Sequence, residues 1–289
     1  MRLTRRQRLL LLAPLGVLLG GWLAVPALTG LAATLTTYSP LTTSVSFVGG
    51  SNYGAVVRDP QFGEAARNVV LFTAVAVPLE LGVGFAAAYL LRRPVWGRSW
   101  WRAVLLLPWL VSPIAVGVMW HYLLGGATGI LNFALAWLGL PEAASPIGDI
   151  HVALLATIAI EVWRVAPFVT FLLLPGLLAI PQDRWEIATL AGASWLQRVL
   201  RIVIPEIWPL LLTVAMLLTG LSLGAFDTIL ILTGGGPGTA TLTPALYSYD
   251  RAFVTNDWPT GAASAWLIAA AVAAVGAVYI GLARRRDFR

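Results

Sequence analysis

Residues 261–283 run for twenty-three positions without a charged side chain, and five further stretches of this 289-residue chain are nearly as apolar. A helix rises about 1.5 Å per residue, so about 20 residues cross the roughly 30 Å hydrocarbon layer of a bilayer. Runs of this length leave a chain few choices. In lipid every backbone N–H and C=O needs an internal partner, which confines such a segment to a helix. The runs lie near 9–35, 68–91, 101–124, 151–180, 207–233 and 261–283. They predict an all-α membrane protein of about six transmembrane helices, forming one domain over 1–289. Composition agrees: only 11% of residues are charged, against about a quarter in soluble domains.

All 19 basic residues are arginine, and their positions orient the chain. With the N-terminus inside, fifteen lie in the inner segments: Arg2, Arg5, Arg6, Arg8, Arg92, Arg93, Arg98, Arg102, Arg184, Arg198, Arg201, Arg284, Arg285, Arg286 and Arg289. Only Arg58, Arg67 and Arg251 lie outside, and Arg164 sits within a run. Cytoplasmic loops carry the positive excess, so both termini are expected in the cytoplasm, in a multi-pass membrane protein. The net charge of +6 is thereby spent on topology and argues against nucleic acid as a partner. The first run follows four arginines as a signal peptide would, but it is too long and lacks a small-x-small cleavage site, so it is expected to be retained. Trp96, Trp100 and Trp101 fall at an expected membrane interface. With no cysteine, thiol chemistry and disulfides are excluded. With no lysine, a Walker A phosphate loop is excluded too.

One polar island interrupts the runs. Residues 181–205 carry Asp183, Arg184, Glu186, Arg198 and Arg201 within PQDRWEIATLAGASWLQRVLRIVIP. Pro181 halts the fourth run, and Asp183 is placed to open a short helix reaching about Ala191. Gly192 permits a turn into a second short helix, which Pro205 leads into the fifth run. The spacing is Glu186-x-Ala188, three residues, Gly192, nine residues, then Ile202-x-Ile204-Pro205. It resembles the cytoplasmic coupling loop of permease subunits in binding-protein-dependent ABC importers. Ile187, Ala191 and Ile204 depart from that family's usual alanine, aspartate and leucine. The resemblance implies that Glu186, Ala188, Gly192, Ile202 and Pro205 serve ATPase coupling, with Glu186 and Gly192 most closely tied to the contact.

A second stretch, Phe226 to Phe253, is similar to the FD-x-I-x-x-LTGGGPG segment of the sugar permeases in this family. Gly234, Gly235, Gly236, Pro237 and Gly238 cannot continue a helix, so the fifth span is expected to end there in an external loop motif. Further matches run through Phe47-Val48-Gly49, Asn52-Tyr53, Asp59-Pro60-x-Phe62, Asn68, Gly129 to Asn132, Trp163 and Pro167-Phe168. In this order they resemble the maltose/glycerol-3-phosphate-type branch. Two other patterns mislead. Gly220-x-Ser222-x-Gly224 copies a nucleophile elbow, and Gly82-x-Gly84-x-x-Ala87 a dinucleotide fingerprint. Both sit inside apolar runs, where small residues serve close helix contact.

Charges inside a membrane are costly and call for a cavity or a partner. Glu80, His121, Glu161, Arg164 and Asp227 are therefore candidates for a translocation path or an intersubunit polar contact. Glu161 and Arg164, three residues apart, share a helix face and are placed to pair. The resemblance implies a non-catalytic transport subunit importing a sugar or sugar-like solute. It implies as partners a second homologous permease, a dimer of ABC ATPases and an extracytoplasmic solute-binding protein, besides membrane lipids. It also implies no cofactor on this chain, since ATP and Mg reside on the ATPases. The rival readings are a membrane enzyme using Ser222, which needs a histidine at matching depth, and a proton-coupled carrier using Glu161 or Asp227.

Overall fold

The computed structural model describes residues 13–18, 20–39, 44–92, 97–126, 129–139 and 144–286. Arg2, Arg5, Arg6, Arg8, Arg93, Trp96 and Arg289, used above for orientation and the interface, lie outside the described residues. Within these the chain is helical, with no strand and one isolated antiparallel bridge between Thr36 and Phe47. Among the described residues, four helices are long and apolar enough to cross a bilayer: Ala13–Thr34, Pro60–Leu91, Ala153–Leu178 and Trp258–Ala283. Two bent pairs bring the number to six if each counts as one span.

The chain forms two compact units. The first combines residues 1–62 with 247–267. It holds α1 (Val25–Thr34), preceded by a π turn at Gly20–Ala24, and α2 (Ser51–Arg58). The Asn52 side chain donates to the carbonyls of Thr34 and Thr36 at 2.8 and 3.0 Å, which fixes the start of α2 against the end of α1. The Tyr53 hydroxyl adds a bond to Thr34 Oγ1.

The second unit combines residues 63–246 with 268–289. Its elements are α3 (Pro60–Leu91), α4 (Arg98–Leu110), α5 (Pro113–Leu124), α6 (Ile130–Trp137), α7 (Ala153–Leu178), α8 (Gln182–Leu190), α9 (Trp195–Arg198), α10 (Ile204–Glu206), α11 (Trp208–Leu223) and α12 (Asp227–Leu232). A last pair, α13 (Pro244–Tyr249) and α14 (Trp258–Arg286), completes the chain. The core of this unit packs Val77, Ala88 and Tyr89 of α3 with Val165, Val169, Leu173 and Leu177 of α7. Val214 and Leu218 of α11 join them. Glycines make the closest approaches. A Cβ on Gly84 of α3 would lie 2.6 Å from Val169, and one on Gly176 of α7 would run into Leu210.

Three expectations about the spans are corrected. The second helix opens at Pro60 rather than Asn68, because proline is well placed in a first helical turn and Asp59 before it is extended (φ −72°, ψ 118°). The third run, 101–124, is not one straight helix: α4 and α5 meet at 88°. Pro113 is the cause, since it forces Ser112 out of helical geometry (φ −55°, ψ 138°). The fifth run, 207–233, ends as a helix at Leu223 rather than at the glycine cluster. It breaks over Gly224–Phe226 and resumes as the short α12, which packs on α5 where Gly117 faces Ile231 and the Thr228 carbonyl.

Candidate functional site

The two breaks create a polar space inside an apolar bundle. A cavity of about 400 Å³ is lined by α3, α4, α5, α7, α11 and α12. Four of the five intramembrane residues singled out above meet there: Glu80, Glu161, Arg164 and Asp227. Glu161 and Arg164 form a two-point ion pair, with Arg164 Nε donating to Glu161 Oε2 at 3.1 Å and Nη2 to Oε1 at 2.5 Å. Glu80 is 1% exposed, and its Oε2 accepts no hydrogen bond among the described residues. An unpartnered carboxylate oxygen this deep is costly. Trp109 and Phe168 stack in the lining, their ring centroids 4.6 Å apart and nearly parallel at 6°. Such a cavity offers a small polar solute hydrogen-bonding groups on one side and flat apolar surface on another.

His121 is not part of this lining. Its Nδ1 lies 2.8 Å from the Leu232 carbonyl oxygen, a hydrogen bond that secures the end of α12 against α5. Ser222, buried in the lining, has no histidine beside it there: His151 lines a separate recess with Glu64, Arg67 and Thr239. The Gly220-x-Ser222-x-Gly224 pattern thus lies on a helix without the base that a nucleophile needs. Of the other small-residue pattern, Gly84 makes the close helix contact and Gly82 faces open space.

The polar island forms two short helices around a turn. α8 runs from Gln182 with Asp183 in its first turn. Gly192 follows at φ +67°, a left-handed conformation that favours glycine, with nothing within 4 Å of where a Cβ would stand. Ser194 then caps α9 in a reciprocal pair with Gln197. Arg198 Nε donates to the Ala193 carbonyl at 2.8 Å, and Arg184 pairs with Glu206. A π turn at Val199–Val203 and α10 lead to Ile207, where the backbone bends by 76° into α11. Trp185, Ala188, Val199 and Val203 point inward and are buried. Glu186 and Pro205 are exposed, and Ile202 is half-buried. Ile187 and Leu190 on α8, and Trp195, Leu196 and Leu200 beyond the turn, are exposed apolar side chains of the same loop.

The glycine cluster forms a turn, with Gly234, Gly235 and Gly238 at φ +61°, +87° and +60°; Gly236 and Pro237 lie between them. α3 holds this turn from one side. Asn68 Nδ2 donates to the carbonyls of Thr239 and Leu242 at 2.7 and 3.1 Å, and the Thr239 hydroxyl donates to Glu64.

Sequence reasoning missed a cluster in the first unit. Asp59 accepts hydrogen bonds from the Tyr247 hydroxyl at 2.7 Å and from Arg251, whose guanidinium lies over the Tyr247 ring. Burial pushes the Asp59 carboxyl up, but the Tyr247 hydroxyl, the Gln61 N–H and the Arg251 charge outweigh it. The group titrates below its ordinary range. Burial and the bond to Asp59 push Tyr247 up to about 12. Both segments carried family-like motifs, yet nothing in either pointed to the other.

Long apolar helices around a solute-sized cavity that carries four ionisable side chains, with a compact two-helix loop between two of the spans, define a multi-pass membrane protein of the permease class. Residues 80–289 match the family described as binding-protein-dependent transport system inner membrane component, and the chain belongs to that family. It is 36% identical over 242 residues to the trehalose/maltose transport system permease protein MalF of Thermococcus litoralis, covering 83% of this chain and 81% of the relative. It is 31% identical over 281 residues to the sulfoquinovosyl glycerol transport system permease protein SmoG of Agrobacterium fabrum, covering 96% and 90%. Its fold matches the crystal structure of a bacterial alginate ABC transporter in complex with alginate pentasaccharide-bound periplasmic protein, with a TM-score of 0.82 at 20% identity. That match covers 97% of this chain and 96% of the other.

Proposed function

We propose that this chain is the permease subunit of an ABC importer that carries a sugar or sugar-like solute inward, driven by ATP hydrolysis on separate ATPase subunits. The observation that carries the reading is the two-sided α8–α9 loop. Trp185, Ala188, Val199 and Val203 are buried in the helical core, while Glu186 and five apolar side chains of the same loop stay exposed. An apolar patch of this kind on a loop that interrupts the spans calls for a protein partner. The Glu186 carboxylate can meet a basic group there. Glu186, Ala188, Gly192, Ile202 and Pro205 then divide the labour. Glu186 makes the contact, Gly192 sets the angle between the helices, and Ala188, Ile202 and Pro205 fix the loop to the spans.

The solute occupies the cavity bounded by Glu80, Glu161, Arg164 and Asp227, with the Trp109–Phe168 stack as a surface for a sugar face. The solutes in the relatives' names, trehalose/maltose and sulfoquinovosyl glycerol, support that class. An extracytoplasmic binding protein delivers it at the side of the Gly234–Gly238 turn, and a second homologous permease completes the path. Both termini and the α8–α9 loop lie in the cytoplasm, the arrangement that the arginine bias favours. No bond chemistry falls to this chain, and ATP and Mg stay on the ATPases.

Glu186→Lys in the assembled complex tests the reading. Uptake of the solute is expected to vanish at unchanged membrane levels of this chain, together with ATPase co-purification or its stimulation by the loaded binding protein. Wild-type uptake would remove the loop from the coupling path.

A further inference from the structure

We propose that Arg92 locks α3 to the α8–α9 loop through the faces of Tyr89 and Trp185, so that movement of the loop is delivered along α3 to the cavity and the outer glycine turn. The proposal rests on the coupling reading above and names the route that coupling takes inside this chain.

Arg92 follows α3 directly, and its position in an inner segment explains only a positive charge. The geometry asks for more. Its guanidinium carbon lies 3.6 Å from the centroid of the Trp185 ring and 4.9 Å from that of Tyr89. Tyr89 in turn meets Trp185 at 6.2 Å and, edge-on, Trp195 at 6.3 Å. Tyr89 and Trp185 are both buried. A planar cation over a desolvated indole is a stronger and more directional contact than an ammonium gives. Trp185 and Glu186 are neighbours on one short helix, the first buried and the second exposed. One holds the loop to α3 while the other stands at the surface, so a push at Glu186 reaches Arg92 through that single helix.

The same helix reaches the other two places that matter. Glu80, facing the cavity, precedes Arg92 by about 18 Å of helix, and Glu64 and Asn68, which hold the glycine turn, lie about 36–42 Å from it along the axis. Gly84 seats α3 tightly on α7 beside Val169, and Pro78, within α3 between Asn68 and Glu80, is the one point where the route crosses a missing backbone hydrogen bond. From Glu64 to Arg92 these contacts lie in one compact unit. A helix held at both ends and touching the cavity between them is a means of passing one displacement to both.

The test uses the full complex in liposomes, with partner permease, ATPases and solute-loaded binding protein, and compares Arg92→Gln, Arg92→Lys, Trp185→Leu and the double variant Arg92→Gln/Trp185→Leu. The ATPases are expected to co-purify as with wild type. Stimulated ATP hydrolysis and uptake should fall about threefold to tenfold in Arg92→Gln, the range of a coupling-path substitution. Arg92→Lys, which keeps the cation, should recover part of the loss. The double variant should be no worse than the poorer single one, since both remove one interaction. Wild-type stimulation in Arg92→Gln, multiplying losses in the double variant, or loss of ATPase docking in Arg92→Gln would each overturn the proposal. If Arg92→Gln is absent from the membrane, Arg92→Lys and Trp185→Phe decide it by graded losses, and wild-type coupling in both would refute it. A wild-type complex that binds no ATPase at all would instead sink the coupling reading.

Discussion

Replacing Gly84 by alanine puts a methyl group where α7 already stands. The new Cβ would lie 2.6 Å from both Cβ and Cγ1 of Val169 and 3.0 Å from the Ala166 carbonyl oxygen. Carbon atoms pack at about 3.5–4.0 Å, so the helices must part locally by about 1 Å. Overpacking of this kind costs about 1–3 kcal/mol. Alanine regains about 1 kcal/mol of helix propensity over glycine, which leaves a net loss of up to about 2 kcal/mol. Gly82, two residues earlier on the same helix, provides the control. Nothing lies within 4 Å of its Cβ position, so Gly82→Ala keeps the propensity gain without the clash. SDS-titrated unfolding of the purified complex should rank Gly84→Ala below wild type and Gly82→Ala level with or above it. Uptake should follow the same order, because parting α3 from α7 moves Glu80 away from Glu161 and Arg164. Equal stability of the two variants would refute the notch between α3 and α7.

Two further outcomes are expected. Because the Asp59 carboxyl titrates below its usual range, the stability it adds is complete above the unfolded carboxylate value of about 3.9 and drains away as pH falls through the lowered folded value. Tyr247, raised to about 12, adds stability that is complete below about 10 and is lost as pH rises toward 12. Tyr247→Phe should abolish the alkaline dependence and weaken the acid one, which the Gln61 N–H and Arg251 still sustain; an unfolding curve that keeps the alkaline loss would detach the Asp59 cluster from stability. For topology, cysteines placed at Gln182 and at Val254 in this cysteine-free chain should react with impermeant thiol reagents from opposite sides of the membrane. Labelling from one side would overturn the proposed orientation.

Hydropathy alone determined that this chain is a bundle of membrane helices, because bilayer thickness imposes a length that no soluble segment needs. Local geometry carried some of the site as well. Glu161 and Arg164 pair because residues three apart share a helix face, and Gly192 sits at positive φ because its turn admits little else. The breaks in the third and fifth runs escaped hydropathy, which counts apolar residues and is blind to backbone geometry. Ser112-Pro113 carried the sign of one break, and Gly224 that of the other. Only the tertiary structure brought Glu80, Arg164 and Asp227 to one cavity, set Arg92 on Trp185, and joined Asp59 to Tyr247 and Arg251 across nearly 190 residues of chain. Which faces of separate helices meet is decided by packing, by the places where glycine permits close approach and by the angles at which proline breaks the spans. Each helix, read by itself, is apolar nearly all round and leaves that choice open.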